Sequence, residues 1–173
     1  MKKSSVGIFF GSDTGNTEKL AKMIRNKLGK SISDIFNITE SSKEDIEKYE
    51  KLIFGIPTWY YGEPQCDWDS FLPIFRNINF LGKKVAIFGC GDQEDYSEYF
   101  CDAMSILYQI TLNNGASITG LWPTAGYHFD MSKSVIDNKF VGLAIDEDRQ
   151  PDLTEARIQN WVNQIRTEMD LTV

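Results

Sequence analysis

Val6-Gly-Ile-Phe-Phe10 runs straight into Gly11-Ser-Asp-Thr-Gly-Asn-Thr17, and apolar side chains then recur at Leu20, Ile24 and Leu28. An uninterrupted apolar run of this length reads as a strand covered on both faces, and the following spacing reads as an amphipathic helix that Gly29 ends. A loop of small, hydroxyl-bearing residues between strand and helix leaves backbone N–H groups free at the positive end of a helix dipole. That is the physics of a phosphate cradle. The loop holds no lysine, so it is not the GxxxxGK[ST] loop of transferable phosphates, and it has no GxGxxG dinucleotide fingerprint. The pattern predicts a phosphate that is held and not transferred. The plainer use of such hydroxyls is to cap the helix.

The same alternation continues along the chain. Leu52 to Ile56 and Val85 to Phe88 are continuous apolar runs, and a weaker strand covers Ile32 to Ile38. Ser41-Ser-Lys-Glu suits a helix cap, and helices are expected over Trp68 to Phe75, Glu98 to Leu112 and Thr154 to Met169. The last strand reads as split, Ser117 to Trp122 and Val141 to Ile145, with Pro123 to Lys139 as a long loop inserted between the halves. Right-handed crossovers then give an α/β three-layer sandwich with a five-stranded parallel sheet in the order 2-1-3-4-5, a ligand binding beside the first and third strands. At 173 residues, one domain over 1–173 is expected.

Composition narrows the chemistry. No stretch reaches membrane-spanning length and the run after Met1-Lys-Lys-Ser-Ser is too short for a signal peptide, so a cytoplasmic location is the expectation. Cys66, Cys90 and Cys101 show no CxxC spacing and supply too few thiols for an iron–sulfur cluster, while His128 is the only histidine. A redox role therefore needs an organic cofactor. The formal charge of −7 is unevenly placed: Leu52 to Phe75 and Val85 to Ser132 contain no Lys or Arg, yet carry Glu63, Asp67, Asp69, Asp92, Glu94, Asp95, Glu98, Asp102 and Asp130. An acidic rim at the strand ends would repel nucleic acid and attract basic proteins.

Three loops should converge at those strand ends. The second presents Pro57-Thr-Trp-Tyr-Tyr-Gly62, and the third Gly89-Cys-Gly-Asp-Gln-Glu-Asp-Tyr96. Two aromatic loops beside a phosphate cradle point to a flat heteroaromatic ligand, each stacked pair adding roughly 0.5–1.5 kcal/mol beyond area burial. Trp68, Trp122 and Trp161 read as structural, and the three thiols as ordinary cysteines.

Taken together, Ser12-Asp-Thr-Gly-Asn-Thr17, Pro57-Thr-Trp59, Gly62-Glu63, Asp67-Trp68, Gly89-Cys-Gly-Asp-Gln93 with Tyr96, and Asp146-Glu-Asp148 resemble flavodoxin, and the interrupted last strand resembles its long-chain class. The resemblance implies a flavodoxin-like fold and a tightly, non-covalently bound FMN. By that resemblance Ser12, Thr14, Asn16 and Thr17, with amides from Asp13 through Gly15 to Thr17, hold the phosphate. Trp59 and Tyr96 cover the two flavin faces, with Pro57, Thr58 and Gly62 in the Trp59 loop. Cys90, Gly91 and Asp92 meet the pyrimidine edge, Asp148 lies near the ribityl chain, the Tyr60 peptide faces flavin N5, and Cys101 is a further contact. It also implies a low-potential one-electron carrier, with no catalytic residues or metal site, working between semiquinone and hydroquinone. Two unit charges 10 Å apart at an effective dielectric of about 20 repel by roughly 1.7 kcal/mol, so an uncompensated phosphate and an acidic rim disfavour full reduction. The implied partners are a ferredoxin/flavodoxin–NADP reductase and flavodoxin-dependent redox enzymes, met by a monomer with no nucleic-acid or membrane partner. The alternatives are an FMN-dependent NAD(P)H:quinone reductase of the same fold and, more distantly, a phosphoryl-accepting signalling domain, which would need a strand-end lysine and a paired acidic cluster absent here.

Overall fold

The computed structural model describes residues 5–171; residues 1–4 and 172–173, including most of the Met1-Lys-Lys-Ser-Ser segment, lie outside it. In chain order the elements are β1 (Val6–Phe10), α1 (Asn16–Leu28), β2 (Ser33–Asn37), α2 (Lys43–Glu47), β3 (Lys51–Trp59), β4 (Glu63–Pro64), α3 (Cys66–Phe75) and β5 (Lys84–Cys90). They continue with α4 (Ala103–Asn113), β6 (Ser117–Ile118), β7 (Trp122–Pro123), β8 (Val135–Ile136), β9 (Lys139–Phe140), β10 (Leu143–Ile145) and α5 (Thr154–Glu168). The main sheet runs β2-β1-β3-β5-β10, all parallel, which is the expected order once the split strand is counted as one.

The split is visible in the register. β6 pairs with β5 at Lys84 and Val85, and β10 pairs with the same strand from Phe88 to Cys90. Between them the chain leaves the sheet. The insertion is not the plain loop expected from its polar sequence, because β7, β9 and β8 form a small antiparallel sheet of their own. Tyr127 and Phe140 are buried within it, their rings 5.0 Å apart, so it carries an apolar core of its own that joins the main one.

Strand side chains alternate between two helical layers. Val6, Ile8 and Phe10 face α1 and α5, meeting Leu20, Ile24, Leu28, Ile158, Trp161 and Ile165. Phe9 and Phe54 face the other layer, with Trp68 and Phe75 of α3 and Leu107 of α4. Both large core tryptophans satisfy their indole N–H on backbone carbonyls, Trp68 on Gly55 at 2.7 Å and Trp161 on Gly120 at 2.9 Å. Two helix starts differ from expectation. The capping box of α2 uses Ser42 and Asp45, one residue later than Ser41, because the shorter Asp45 reaches back to the Ser42 amide at 2.9 Å. α4 begins at Ala103 and not Glu98, since Cys101 adopts φ 53, which no helix interior accommodates.

Candidate functional site

The C-terminal ends of β1, β3, β5 and β10 leave an open cleft of about 260 Å³, at the switch point where a doubly wound sheet reverses strand order. Its floor is the β1–α1 loop. Gly15 is the N-cap of α1 at φ 90, a left-handed conformation that glycine adopts without penalty, and no side chain caps the helix. The loop's hydroxyls are therefore not used as the helix cap. Ser12 Oγ accepts the Gly15 amide at 3.1 Å, and the Thr17 hydroxyl lies 3.6 Å from Cys90 Sγ, but neither closes off the helix start. The first-turn amides are therefore left without a side-chain acceptor, and Asn16 and Thr17 of that turn line the cleft, an arrangement that suits an anion. None of the residues lining the cleft is Lys or Arg.

The walls come from the other strand ends. Ser12, Asp13, Thr14, Asn16, Thr17, Pro57, Thr58, Trp59, Cys90, Gly91, Asp92, Tyr96 and Asp148 all line the cleft, so thirteen separately motivated residues converge. The Thr58 hydroxyl is already engaged: its oxygen accepts the Ala103 amide at 2.9 Å and gives α4 a tertiary cap that its own N-cap residue lacks. The Gly91 amide likewise donates to Ile145 O at 3.1 Å.

Four expected residues do not line the cleft. Gly15 is the exposed N-cap of α1, with open space where a side chain would start. Tyr60 and Gly62 occupy the turn beyond Trp59, Tyr60 at φ 43 and more than half exposed, Gly62 at φ 87. Cys101 is fully buried, its sulfur 3.0 Å from where a Gly91 side chain would start, which places it behind the wall. Conversely, Glu147 lines the cleft and was not singled out beyond its place in Asp146-Glu-Asp148.

Two buried polar residues hold this geometry, and neither was picked out from the sequence. Asp146 is fully buried; Oδ2 accepts the Gln93 amide at 3.0 Å and Gln93 Nε2 at 2.9 Å, and Oδ1 accepts the amides of Asp148 and Arg149 at 3.1 and 2.9 Å. Gln93 Oε1 in turn accepts the His128 amide at 2.5 Å, joining the insertion to the same knot. Gln65, also fully buried, donates Nε2 to Asp13 at 3.0 Å and to Asp67 at 2.8 Å, which steadies the phosphate loop from below. A polar residue in a loop carries no periodicity: Asp146 and Gln93 stand inside the quoted motifs, and Gln65 stands in none of them.

Charge around the cleft is negative but not uncompensated. Arg149 clasps Asp92 (3.0 Å), Glu94 (2.7 Å) and Asp95 (3.0 Å), and Lys19 meets Glu147 at 3.3 Å. Burial works to raise the Asp92 carboxyl, but the Arg149 hydrogen bond and the amides of Asp95 and Glu94 outweigh it and leave it below the usual range. Asp148 goes the other way: burial, then the charges of Asp92 and Asp146, push it up. Burial pushes the Cys90 thiol up to about 12, so it stays neutral as a wall group.

An uncapped helix start, no cation in the lining and one aromatic ring on each wall make this an α/β protein whose cleft suits an aromatic mononucleotide. The chain belongs to the flavodoxin family. The family model for flavodoxin matches residues 8–161. The chain is 62% identical over 166 residues to flavodoxin 1 of Escherichia coli K12, covering 95% of this chain and 94% of that one. It is 57% identical to the flavodoxin of Haemophilus influenzae, covering 96% of each. The crystal structure of Fusobacterium nucleatum flavodoxin bound to flavin mononucleotide superposes with a TM-score of 0.90 at 36% identity, covering 94% of this chain and 97% of that chain.

Proposed function

We propose that this chain is an electron carrier that works through a non-covalently held FMN. The observation that carries the reading is the uncapped start of α1 facing Trp59 and Tyr96 across one cleft. The residues fit the group: the backbone amides of Asp13, Thr14, Asn16 and Thr17, with the hydroxyls of Ser12, Thr14 and Thr17 and the Asn16 side-chain amide, take the phosphate. Trp59 and Tyr96 cover the rings, the backbone of Cys90 and Asp92 meets the pyrimidine edge, and Asp148 and Glu147 stand at the polyol. FMN supplies the one-electron chemistry. The protein supplies orientation, exclusion of water from the ring faces and a negative field. Six carboxylates (Asp13, Asp92, Glu94, Asp95, Glu147, Asp148) face two cations, so added negative charge at the centre is disfavoured. A quinone reductase reading is not favoured, because the cleft lining offers no cation to a pyridine nucleotide's phosphates. The purified protein is expected to be yellow with flavin absorption bands, and acid precipitation should release that absorbance as free FMN, in keeping with a non-covalent cofactor site. A colourless protein that does not take up added FMN would overturn this reading.

The same proposal has a monomer in the cytoplasm take electrons from a ferredoxin/flavodoxin–NADP reductase and pass them to flavodoxin-dependent enzymes, meeting their basic faces with the acidic rim. Because Arg149 already neutralises part of that rim, Glu94→Lys and Asp95→Lys are each expected to slow reduction severalfold at low salt, by adding a cation and by releasing Arg149. Raising the salt should slow the wild type and narrow the gap between them. Stopped-flow reduction rates indifferent to both changes would reject electrostatic steering.

A further inference from the structure

One attachment of the insertion to the body is a three-residue splint. Ser132 Oγ donates to Phe100 O at 2.5 Å, the Lys133 amide donates to Asp102 Oδ1 at 2.8 Å, and Ser134 Oγ donates to Cys101 O at 2.6 Å. Three successive residues of the insertion thus hold three successive residues ahead of α4, including Cys101 in its left-handed conformation. What the splint presents is Asp102. That side chain is 2% exposed, and its Oδ2 has no hydrogen-bond partner among the described residues. Oδ2 lies against the turn after Trp59: a Cβ built on Gly62 would stand 2.8 Å from it.

A buried carboxylate oxygen without a donor is costly, and it is relieved by taking up a proton or by recruiting an N–H. The turn packed on it carries such groups and is itself under tension, since Tyr60 holds φ 43 without being glycine. We propose that Asp102 is a positioning residue for the Tyr60–Gly62 turn: the insertion presses the carboxylate onto the turn, and the carboxylate's protonation state selects the arrangement the turn takes beside the cofactor. The link to the cofactor rests on the FMN reading; the link between Asp102 and the turn does not.

The titration has a physical basis. Burial raises the Asp102 carboxyl, and the Lys133 amide and ammonium pull against it. Facing it are Lys133 from the insertion, Glu98 and Tyr99 from its own preceding turn and the neighbouring Cys101 thiol, while Tyr61 reaches the group through its ring contact with Tyr99 at 5.5 Å and Glu63 follows Gly62 in the chain. The first turn of α4 adds no acidic group. A pocket of about 280 Å³ bounded by Glu98, Tyr99, Met131 and Lys133 opens onto Asp102 and gives water, and hence a proton, a route to it. Charged, Oδ2 favours a turn that aims an N–H at it; neutral, it loses that pull and the turn relaxes.

The test is proton–nitrogen NMR of the FMN-loaded and FMN-free protein between about pH 4 and 8, with Asp102→Asn and Lys133→Ala alongside. In the wild type the Tyr61 and Gly62 amides are expected to titrate together, with a midpoint above the ordinary aspartate value of about 3.9. The titration is lost in Asp102→Asn, which keeps the shape but not the proton. In Lys133→Ala it moves to higher pH, because an opposing positive charge is gone. In the loaded protein the pH dependence of the FMN potential breaks at the same midpoint, and that break is lost in Asp102→Asn. Amides that titrate equally in Asp102→Asn, or that stay flat in the wild type, overturn the proposal. A protein that never takes up FMN overturns the cofactor reading instead, and the amide titration of the free chain still decides the role of Asp102.

Discussion

Asp146→Ala is expected to destabilise the protein by about 3 kcal/mol or more, the largest loss of any single substitution around the cleft. The carboxylate is fully buried and receives four N–H groups, three of them backbone amides that no side-chain rotation can redirect. Each buried donor left without an acceptor costs about 1–3 kcal/mol, and water entering the gap recovers part of that. For a chain of this size the loss corresponds to a drop of about 10 °C in Tm. Asp146→Asn should lie between, because its oxygen still serves one pair of donors while its NH2 group faces the other pair. Urea unfolding of the FMN-free protein measures this without interference from ligand binding, which would itself stabilise the fold. FMN affinity should fall as well, since the same carboxylate sets the loops carrying Asp92 and Asp148. Unfolding midpoints within about 0.5 kcal/mol of the wild type would show that the knot is dispensable.

Trp59→Ala is expected to weaken FMN binding by about 30- to 300-fold while leaving the fold nearly unchanged. The ring is only partly buried in the protein alone and is absent from both core clusters, with Tyr60 edge-on at 6.1 Å between centroids, so its removal opens no core cavity. What is lost is the stack, roughly 0.5–1.5 kcal/mol, plus about 1.5–2 kcal/mol for the apolar face no longer covered. At 1.4 kcal/mol per factor of ten, the total gives the stated range. Trp59→Phe should recover most of it. Quenching of FMN fluorescence on titration with protein reports the Kd directly. A change of less than threefold would mean that the phosphate cradle dominates and that Trp59 is no wall of the site.

Much of this architecture was legible from local pattern. Continuous apolar runs located β1, β3 and β5, because strands buried on both faces leave that signature, and the order of the sheet followed from handed crossovers. The cleft was legible for a related reason: its parts are strand-end loops, and topology alone brings strand ends together. Three features were hidden, each because it is tertiary. The insertion's small sheet is made of two-residue strands, too short for any alternation to show. The start of α4 is displaced because Cys101 is bent by its packing under Gly91 and by the Ser134 hydroxyl, contacts from sequence positions far away. Asp146, Gln93 and Gln65 are polar and buried, a combination that composition argues against and only a closed hydrogen-bond set permits. Arg149 was missed for the opposite reason. It lies outside the two stretches without cations, yet folding returns it to the centre of the acidic loop.

The uncapped start of α1 divides the cleft into two ends of different kind. At the end formed by the start of α1 the donors include main-chain amides, which every residue but proline carries and which do not ionise in the physiological range. No exchange of side chains short of proline removes them, and acidification of the solvent leaves them as they were. The ring end is made of Trp59 and Tyr96, whose size, tilt and polarity change with every substitution. On the proposed reading, a lineage of such chains can therefore retune how its cofactor behaves by altering the walls, while the part of the anchor carried in the backbone survives each trial.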